Sequence, residues 1–188
     1  MKLLKSALIA SLALAGLANA QTYVIDSAHT HARFAIDHMN TSTNQGGFYN
    51  LTGEVQFNPA KKTGAIDITI PMNSLSTGIG AFDEHLKSAD FFNVAAHPTA
   101  NFKSTKWHFR GGKVRKVDGI LTMMGKSHPV TLTAKKFNCY DSPMLKTEVC
   151  GGDFEATIDR TLWGINTYVD FGVTKFVKLN IQVEAGKK

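Results

Sequence analysis

The chain has 188 residues, of which 43% are hydrophobic and 19% are charged, and its formal net charge is +6 at pH 7. That length suits a single domain with a sizeable hydrophobic core, and we find no linker, low-complexity run or internal repeat that would divide it. Most lysines are interleaved with apolar residues, as on the solvated face of a sheet, so the net charge alone does not indicate an acidic partner.

Residues 1–20 have the pattern of a secretory signal peptide. A short apolar run follows two lysines, and Ala18-Asn19-Ala20 matches the small-residue pattern of a cleavage site. The apolar run is too short to span a membrane. We therefore predict an exported, soluble protein, periplasmic or secreted, that consists of one domain over 21–188 and has no membrane span. Nucleic acid is not expected as a partner of such a protein.

Most of the chain beyond the leader alternates apolar and polar side chains, which is the period of half-buried β-strands. Turn signals such as Gly111-Gly112 separate the runs at intervals typical of hairpins. This pattern predicts an all-β fold of eight or nine antiparallel strands, either a barrel or a sandwich. It excludes an α/β fold, because no helices separate the strands.

One stretch, residues 75–102, interrupts the alternation and predicts a single short helix. Phe82 and Leu86 recur at helical spacing, with charged residues on the opposite side. Ser76 or Thr77 is the expected N-cap of this helix.

The aromatic pair Phe91-Phe92 follows the predicted helix, and together they would cover either a filled core or the mouth of a cavity. Because pockets are few in any protein, the local pattern favours the filled core. Small residues recur among the inward positions, however, and they leave room in a barrel of about eight strands, although they also serve bends and taper. The small inward residues are Ala32, Gly53, Ala100, Ser104, Gly119, Ala134 and Ala156.

Cys139 and Cys150 are the two cysteines of the chain. An even pair in an exported protein predicts a disulfide, which would pin a hairpin loop and contribute about 3 kcal/mol in the chain-entropy model. A redox-active pair is not expected, because the C-x-x-C spacing is absent.

Several segments, spread over the whole mature chain, resemble the YceI family of exported polyisoprenoid-binding proteins. The most specific are Asp83-x-His85-Leu86-x-Ser88-x-Asp90-Phe91-Phe92 and His97-Pro98-Thr99-x-x-Phe102-x-Ser104. The others are Tyr23-x-Ile25-Asp26-x-Ala28-His29, Phe34-x-Ile36-x-His38, Gly119-x-Leu121-Thr122-Met123 with Pro129-Val130, and Ile158-Asp159-Arg160-x-x-Trp163-Gly164-Ile165. The resemblance implies an eight-stranded antiparallel lipocalin-like barrel with the helix at its mouth. It also implies a long cavity for an isoprenoid tail and no cofactor chemistry.

The resulting hypothesis is a carrier or store, not an enzyme, for a polyprenyl phosphate or a prenylated quinone such as ubiquinone. The expected tail contacts are Phe34, Ile36, Val55, Phe57, Ile68, Ile70, Phe102, Leu121, Phe154 and Ile158. The expected entrance residues are Phe82, Leu86, Phe91 and Phe92. His38 is the candidate polar contact to the head group, and its alternative is a core histidine bonded to backbone.

Three other functions compete with this hypothesis. A metalloenzyme would use His29-x-His31, but this pair shares a face with Arg33 and lacks a third ligand. A serine or cysteine hydrolase is not supported, because G-x-S-x-G is absent and both cysteines are expected to be bonded. The alternative that stays open is a filled-barrel interaction module that binds anionic partners through the basic residues Lys103, Lys106, Arg110, Lys113, Arg115 and Lys116. Transient membrane contact and a homodimer are compatible with the sequence, and no motif requires either.

Overall fold

The computed structural model describes residues 20–188, so the predicted signal peptide lies outside the described residues except for Ala20. The described chain forms ten strands and one α-helix, α1 (Gly80–Lys87). The strands are β1 (Gln21–Ile25), β2 (His31–His38), β3 (Ser42–Phe48), β4 (Thr52–Asn58), β5 (Thr63–Pro71), β6 (Thr99–Arg110), β7 (Lys113–Met123), β8 (Lys126–Ser142), β9 (Thr147–Asp159) and β10 (Phe176–Lys187).

Eight of these strands close into an antiparallel barrel. Neighbours pair in the order β1, β4, β5, β6, β7, β8, β9 and β10, and β10 pairs back onto β1. The all-β barrel expected from the sequence is therefore confirmed. The remaining hairpin, β2–β3, pairs with the first half of β10, where Phe34 lies opposite Leu179.

The structure has ten strands instead of the predicted eight or nine, and two strands of the wall are interrupted. β1 and β2 lie end to end along β10, separated by a turn at 26–30. The Thr30 hydroxyl bridges this interruption: it donates to the Glu184 carbonyl and accepts from the Glu184 amide, at 3.1 and 3.0 Å. The second interruption, between β3 and β4, contains Asn50 with a φ of 58°.

The antiparallel connections define two ends of the barrel. One, here called the mouth end, carries the connections 39–41, 72–98, 124–125 and 160–175. The other, here called the closed end, carries the hairpin turns 59–62, 111–112 and 143–146 together with both ends of the described chain. Since α1 lies in the connection between β5 and β6, the fold places the helix at the mouth end.

An aromatic cluster fills the barrel toward the closed end. The ring of Phe57 stacks on Trp107 and Phe109, with centroid distances of 5.7 and 6.4 Å, and Phe137 meets it edge-on at 5.4 Å. The Trp107 ring lies directly over Gly64, where a Cβ would be only 2.5 Å from it. This cluster closes the barrel with side chains instead of leaving a channel through it.

The expected N-cap of the helix is wrong. Helix α1 follows Ile79, which has extended backbone and makes no side-chain cap bond. Gly78, with a φ of 82°, turns the chain so that Thr77 folds back over the first helical turn. There the backbone amide and hydroxyl of Thr77 both donate to Asp83 Oδ1, each at 2.6 Å.

The disulfide is confirmed. Cys139 and Cys150 face each other directly in the β8–β9 ladder, and their sulfur atoms are bonded. The bond ties the two strands together near the hairpin turn at the closed end, as predicted for a stapled hairpin.

Candidate functional site: an apolar cavity in the barrel

A cavity of about 390 Å³ occupies the barrel between the mouth end and the aromatic cluster. This volume lies within the range of small-molecule and cofactor sites. Almost all of its wall is apolar and comes from inward side chains of the strands and from the segment around α1. The barrel is therefore hollow toward its mouth and filled toward its closed end.

Thirteen of the fifteen predicted ligand contacts lie on the cavity wall. They are Phe34, Ile36, His38, Ile68, Ile70, Phe82, Leu86, Phe91, Phe92, Phe102, Leu121, Phe154 and Ile158. The two others, Val55 and Phe57, are buried outside the cavity toward the closed end, where Phe57 belongs to the aromatic cluster. They face inward as the alternation predicts, but at the wrong level of the barrel for this cavity.

The small inward residues account for the cavity only in part. Ala32 and Ala100 line it. At Gly119, by contrast, the Phe102 ring fills the space, and a Cβ would be 2.3 Å from that ring. At Gly53, a Cβ would be 2.2 Å from the backbone oxygen of Asp67, so the neighbouring strand occupies that space.

Part of the barrel wall at the mouth end is not a pair of strands. Toward the mouth, β3 does not pair with β5; instead Gly47 and Ser76 exchange two backbone hydrogen bonds of 2.9 Å. The connection after β5 therefore curls along β3 and continues the wall there. Phe92 closes the gap from the inside by packing edge-on against Phe48, with ring centroids 5.3 Å apart.

The entrance is formed by α1 and the segment that follows it. Leu86 is buried against the cavity, and the His85 ring packs edge-on against Phe91 at 5.0 Å. Tyr168 packs on the same Phe91 ring at 6.1 Å. The Thr167 hydroxyl donates to the Asp90 carbonyl, which joins the connection 164–175 to the helical segment. The entrance thus consists of two loop segments held to each other.

Two polar groups of the wall differ in their surroundings. His38 is exposed at the rim, which is the place expected for a head-group contact and not that of a core histidine. Arg160 is only 4% exposed and was not predicted as a site residue. Burial lowers the pKa of the Arg160 guanidinium. The sequence does contain a signal for Arg160. It lies two residues after the inward residue Ile158, on the same face by strand alternation, and it belongs to one of the segments that carry the family resemblance.

Other wall residues, such as Met39 and Tyr168, lie in turns where alternation gives no signal.

The side chains of the His29-x-His31 pair do not converge on one point. His29 Nδ1 hydrogen-bonds to Asp26 at 2.8 Å, whereas the His31 ring packs against Tyr49. Within residues 20–188, no three side chains of His, Cys, Asp or Glu are grouped so that they could hold a metal ion. In the same part of the chain, no helix combines the length and the apolar character needed to cross a membrane.

Comparisons with known proteins agree with this geometry. The family model described as YceI-like domain matches residues 23–185. A UPF0312 protein of Shewanella denitrificans is 33% identical over 193 residues, covering 99% of this chain and 98% of its own.

Two solved structures show the same fold. Burkholderia cenocepacia BcnA is 24% identical, with a TM-score of 0.70, over 86% of this chain and 99% of its own. A polyisoprenoid binding domain from Saccharophagus degradans, implicated in plant cell wall breakdown, is 12% identical, with a TM-score of 0.63, over 89% of this chain and 99% of its own.

Proposed function

This chain belongs to the YceI-like domain family, and we propose that its barrel cavity binds the hydrocarbon tail of an isoprenoid lipid. The observation that carries the proposal is the apolar cavity of about 390 Å³ that reaches the mouth end. The structural neighbour from Saccharophagus degradans, described as a polyisoprenoid binding domain, supports the same ligand class. The protein would act as a binding protein and not as an enzyme.

The shape of the cavity suits an extended tail. Along β10 its wall runs from Val177 to Val183, six residue steps, which corresponds to about 20 Å at the usual strand rise. That length accommodates several isoprene units. Each buried CH₂-sized group contributes about 0.8 kcal/mol, so a tail of several units has ample driving force even after its ordering is subtracted.

The proposed role is that of a carrier or store outside the cytoplasm, in the periplasm or the secreted fraction. The disulfide between Cys139 and Cys150 supports this, because such bonds persist in oxidising compartments. The head group would lie at the mouth end, where His38 and Arg160 are the polar groups singled out above. A polyprenyl phosphate and a prenylated quinone such as ubiquinone both fit this arrangement. Loading and release would take place at a membrane surface through the mouth end.

The first experiment is organic extraction of the purified protein followed by mass spectrometry, together with binding of added prenyl lipid. We expect a prenyl lipid in the extract. An empty barrel that also fails to bind added prenyl quinone and prenyl phosphate would contradict the proposal. Salt-sensitive binding to anionic polymers, with no extractable lipid, would instead indicate an interaction module.

A cavity-filling variant makes the test specific to the site. Ala100→Phe places a ring in the cavity, and we expect the affinity for prenyl lipid to fall about tenfold or more, as overpacking by 1–3 kcal/mol would produce. Ala134→Phe adds the same bulk next to the core but outside the cavity wall, and it serves as the matched control. Equal binding by both variants would place the lipid elsewhere.

A further inference from the structure

Arg160 is a buried cation on the wall of the cavity. It is 4% exposed, and it lies at the mouth end, where β9 runs into the short 3-10 turn Arg160–Trp163. Among the described residues that are buried and polar, the others are Thr30, Asn58 and Ser142, so Arg160 alone in that set carries a charge.

The groups that hold the guanidinium are all neutral. Nε donates to the Thr174 carbonyl at 3.1 Å, Nη1 to the Ile165 carbonyl at 3.0 Å and Nη2 to the Val173 carbonyl at 3.4 Å. A guanidinium has five N–H donors, so these three acceptors leave donor capacity unused.

No carboxylate forms an ion pair or a hydrogen bond with Arg160, although the negative charge of the adjacent Asp159 acts on it through space. The adjacent acid, Asp159, accepts from the amide and hydroxyl of Thr161 at 3.1 and 2.6 Å, and it pairs with Lys175 at 3.0 Å. The described residues provide no ion pair to Arg160 within 4.0 Å. Lys126 is a second cation in the same region. Its Nζ lies next to Gly164, only 2.8 Å from the position that a Cβ would take there.

A buried charge without a direct ion-pair partner is unfavourable, and arginine keeps its charge because its pKa is so high. Its guanidinium also matches the oxygens of a phosphate group better than any other side chain does. A lipid whose tail fills the cavity would bring its head group to the mouth end, where this cation lies. We propose that Arg160 recognises an anionic head group, specifically a phosphate monoester, and that the ligand class is therefore a polyprenyl phosphate and not a neutral quinone. This inference rests on the proposed function.

The same three carbonyl bonds also tie Arg160 to the connection 164–175, so the test must report on ligand charge and not only on folding. We suggest measuring the affinities of two lipids with the same prenyl tail, one ending in a phosphate monoester and the other in an alcohol. The wild-type protein should bind the phosphate at least about tenfold more tightly, the size expected for hydrogen bonds to a charged group. Equal affinities would overturn the role of Arg160 but leave tail binding intact, whereas no binding of either lipid would overturn the proposed function itself.

Two variants and one pH series complete the design. Arg160→Gln should bring the phosphate-to-alcohol ratio close to one, and Arg160→Lys should retain part of the preference. Equal losses for both lipids in Arg160→Gln would identify a purely structural role and overturn the proposal.

The pH series needs no variant, which keeps the proposal testable if both substitutions impair folding. A phosphate monoester gains its second charge near pH 6, so wild-type affinity for the phosphate should rise between about pH 5 and 7.5. Over the same range, the affinity for the alcohol should stay constant. A parallel change for both lipids would overturn the proposal.

Discussion

Gly119 shows how a single residue sets the width of the barrel. Its inward side is occupied by the Phe102 ring, which lines the cavity, and a Cβ at this position would be 2.3 Å from the ring and 2.7 Å from the Lys103 carbonyl oxygen. The absence of a side chain at Gly119 therefore does not create the cavity. It lets Phe102 lie back against the wall and keeps the lumen open.

We expect Gly119→Ala to destabilise the protein by about 1–3 kcal/mol, the usual cost of overpacking, and to narrow the cavity by displacing Phe102. Urea denaturation monitors the first effect and prenyl lipid binding the second. Gly80→Ala is the matched control, because a Cβ there has no atom within 4 Å and alanine favours the helix that begins at this residue. Equal unfolding midpoints for the two variants would contradict the expected role of Gly119.

At the residue scale, the sequence predicted which side chains face inward but not how far along the barrel each one lies. Phe57 illustrates the limit: its ring partners Trp107 and Phe137 are remote in sequence, and only the closed barrel brings them to one level. Arg160 was missed for a different reason. Its partners are backbone carbonyls of a loop, which no side-chain pattern reveals.

At the scale of elements, the entrance helix depends on one carboxylate. Asp83 accepts both hydrogen bonds from Thr77, and these bonds hold its pKa below the usual value. The folded-state pKa is lower than the unfolded one, so ionised Asp83 stabilises the entrance above the unfolded pKa. That contribution disappears as the pH falls through the folded pKa.

We therefore expect the entrance of the wild-type protein to loosen below about pH 4, while its strands stay ordered. Asp83→Asn should show the loosened entrance already at neutral pH, with little further change on acidification. Hydrogen exchange of the amides over 77–92 measures this, and the amides of β7 and β8 provide the internal reference. Glu84→Gln is the matched control: it removes only the exposed Glu84–Lys87 pair at 3.4 Å, which contributes little, so it should behave nearly as wild type. Equal exchange in both variants would show that Asp83 does not hold the helix.

Predictions about whole elements were correct where hydrophobic periodicity determines the structure. They were wrong where individual hydrogen bonds determine it. The helical spacing of Phe82 and Leu86 placed α1 correctly, but the expected N-cap was wrong. The turn around Gly78 makes Thr77 a hydrogen-bond donor to Asp83 and not a cap that accepts from the helix amides. At the interruption after β1, the Thr30 hydroxyl takes the place of backbone groups in the ladder with Glu184.

At the scale of the whole molecule, exposed apolar side chains surround the mouth end, and a second group, Met144 and Leu145, lies in the closed-end hairpin. Ile79 precedes α1, Met39 and Tyr168 reach the cavity wall, and Phe171 packs on Tyr168 with a ring distance of 6.2 Å. Phe171 is 75% exposed. If the cavity binds a lipid as proposed, apolar groups around its opening suit contact with a membrane, because the tail can then pass between the two without crossing water.

This arrangement predicts an oriented contact with lipid bilayers. Both native tryptophans, Trp107 and Trp163, are buried, so a tryptophan placed on the surface reports its own surroundings. On addition of phospholipid vesicles, we expect a blue-shifted emission for Phe171→Trp at the mouth end. We expect no shift for Met144→Trp, the matched control in the closed-end hairpin, where the native side chain is 90% exposed.

Lipid transfer tests whether this contact has a function. Phe171→Ser should slow the uptake of prenyl lipid from vesicles several-fold without changing the affinity at equilibrium, because the mutated side chain lies outside the cavity wall. Met144→Ser should leave the rate unchanged. If both tryptophan variants shift equally, the protein adsorbs without orientation. If neither shifts and the uptake rate is unaffected, the mouth end does not make the proposed contact with the bilayer.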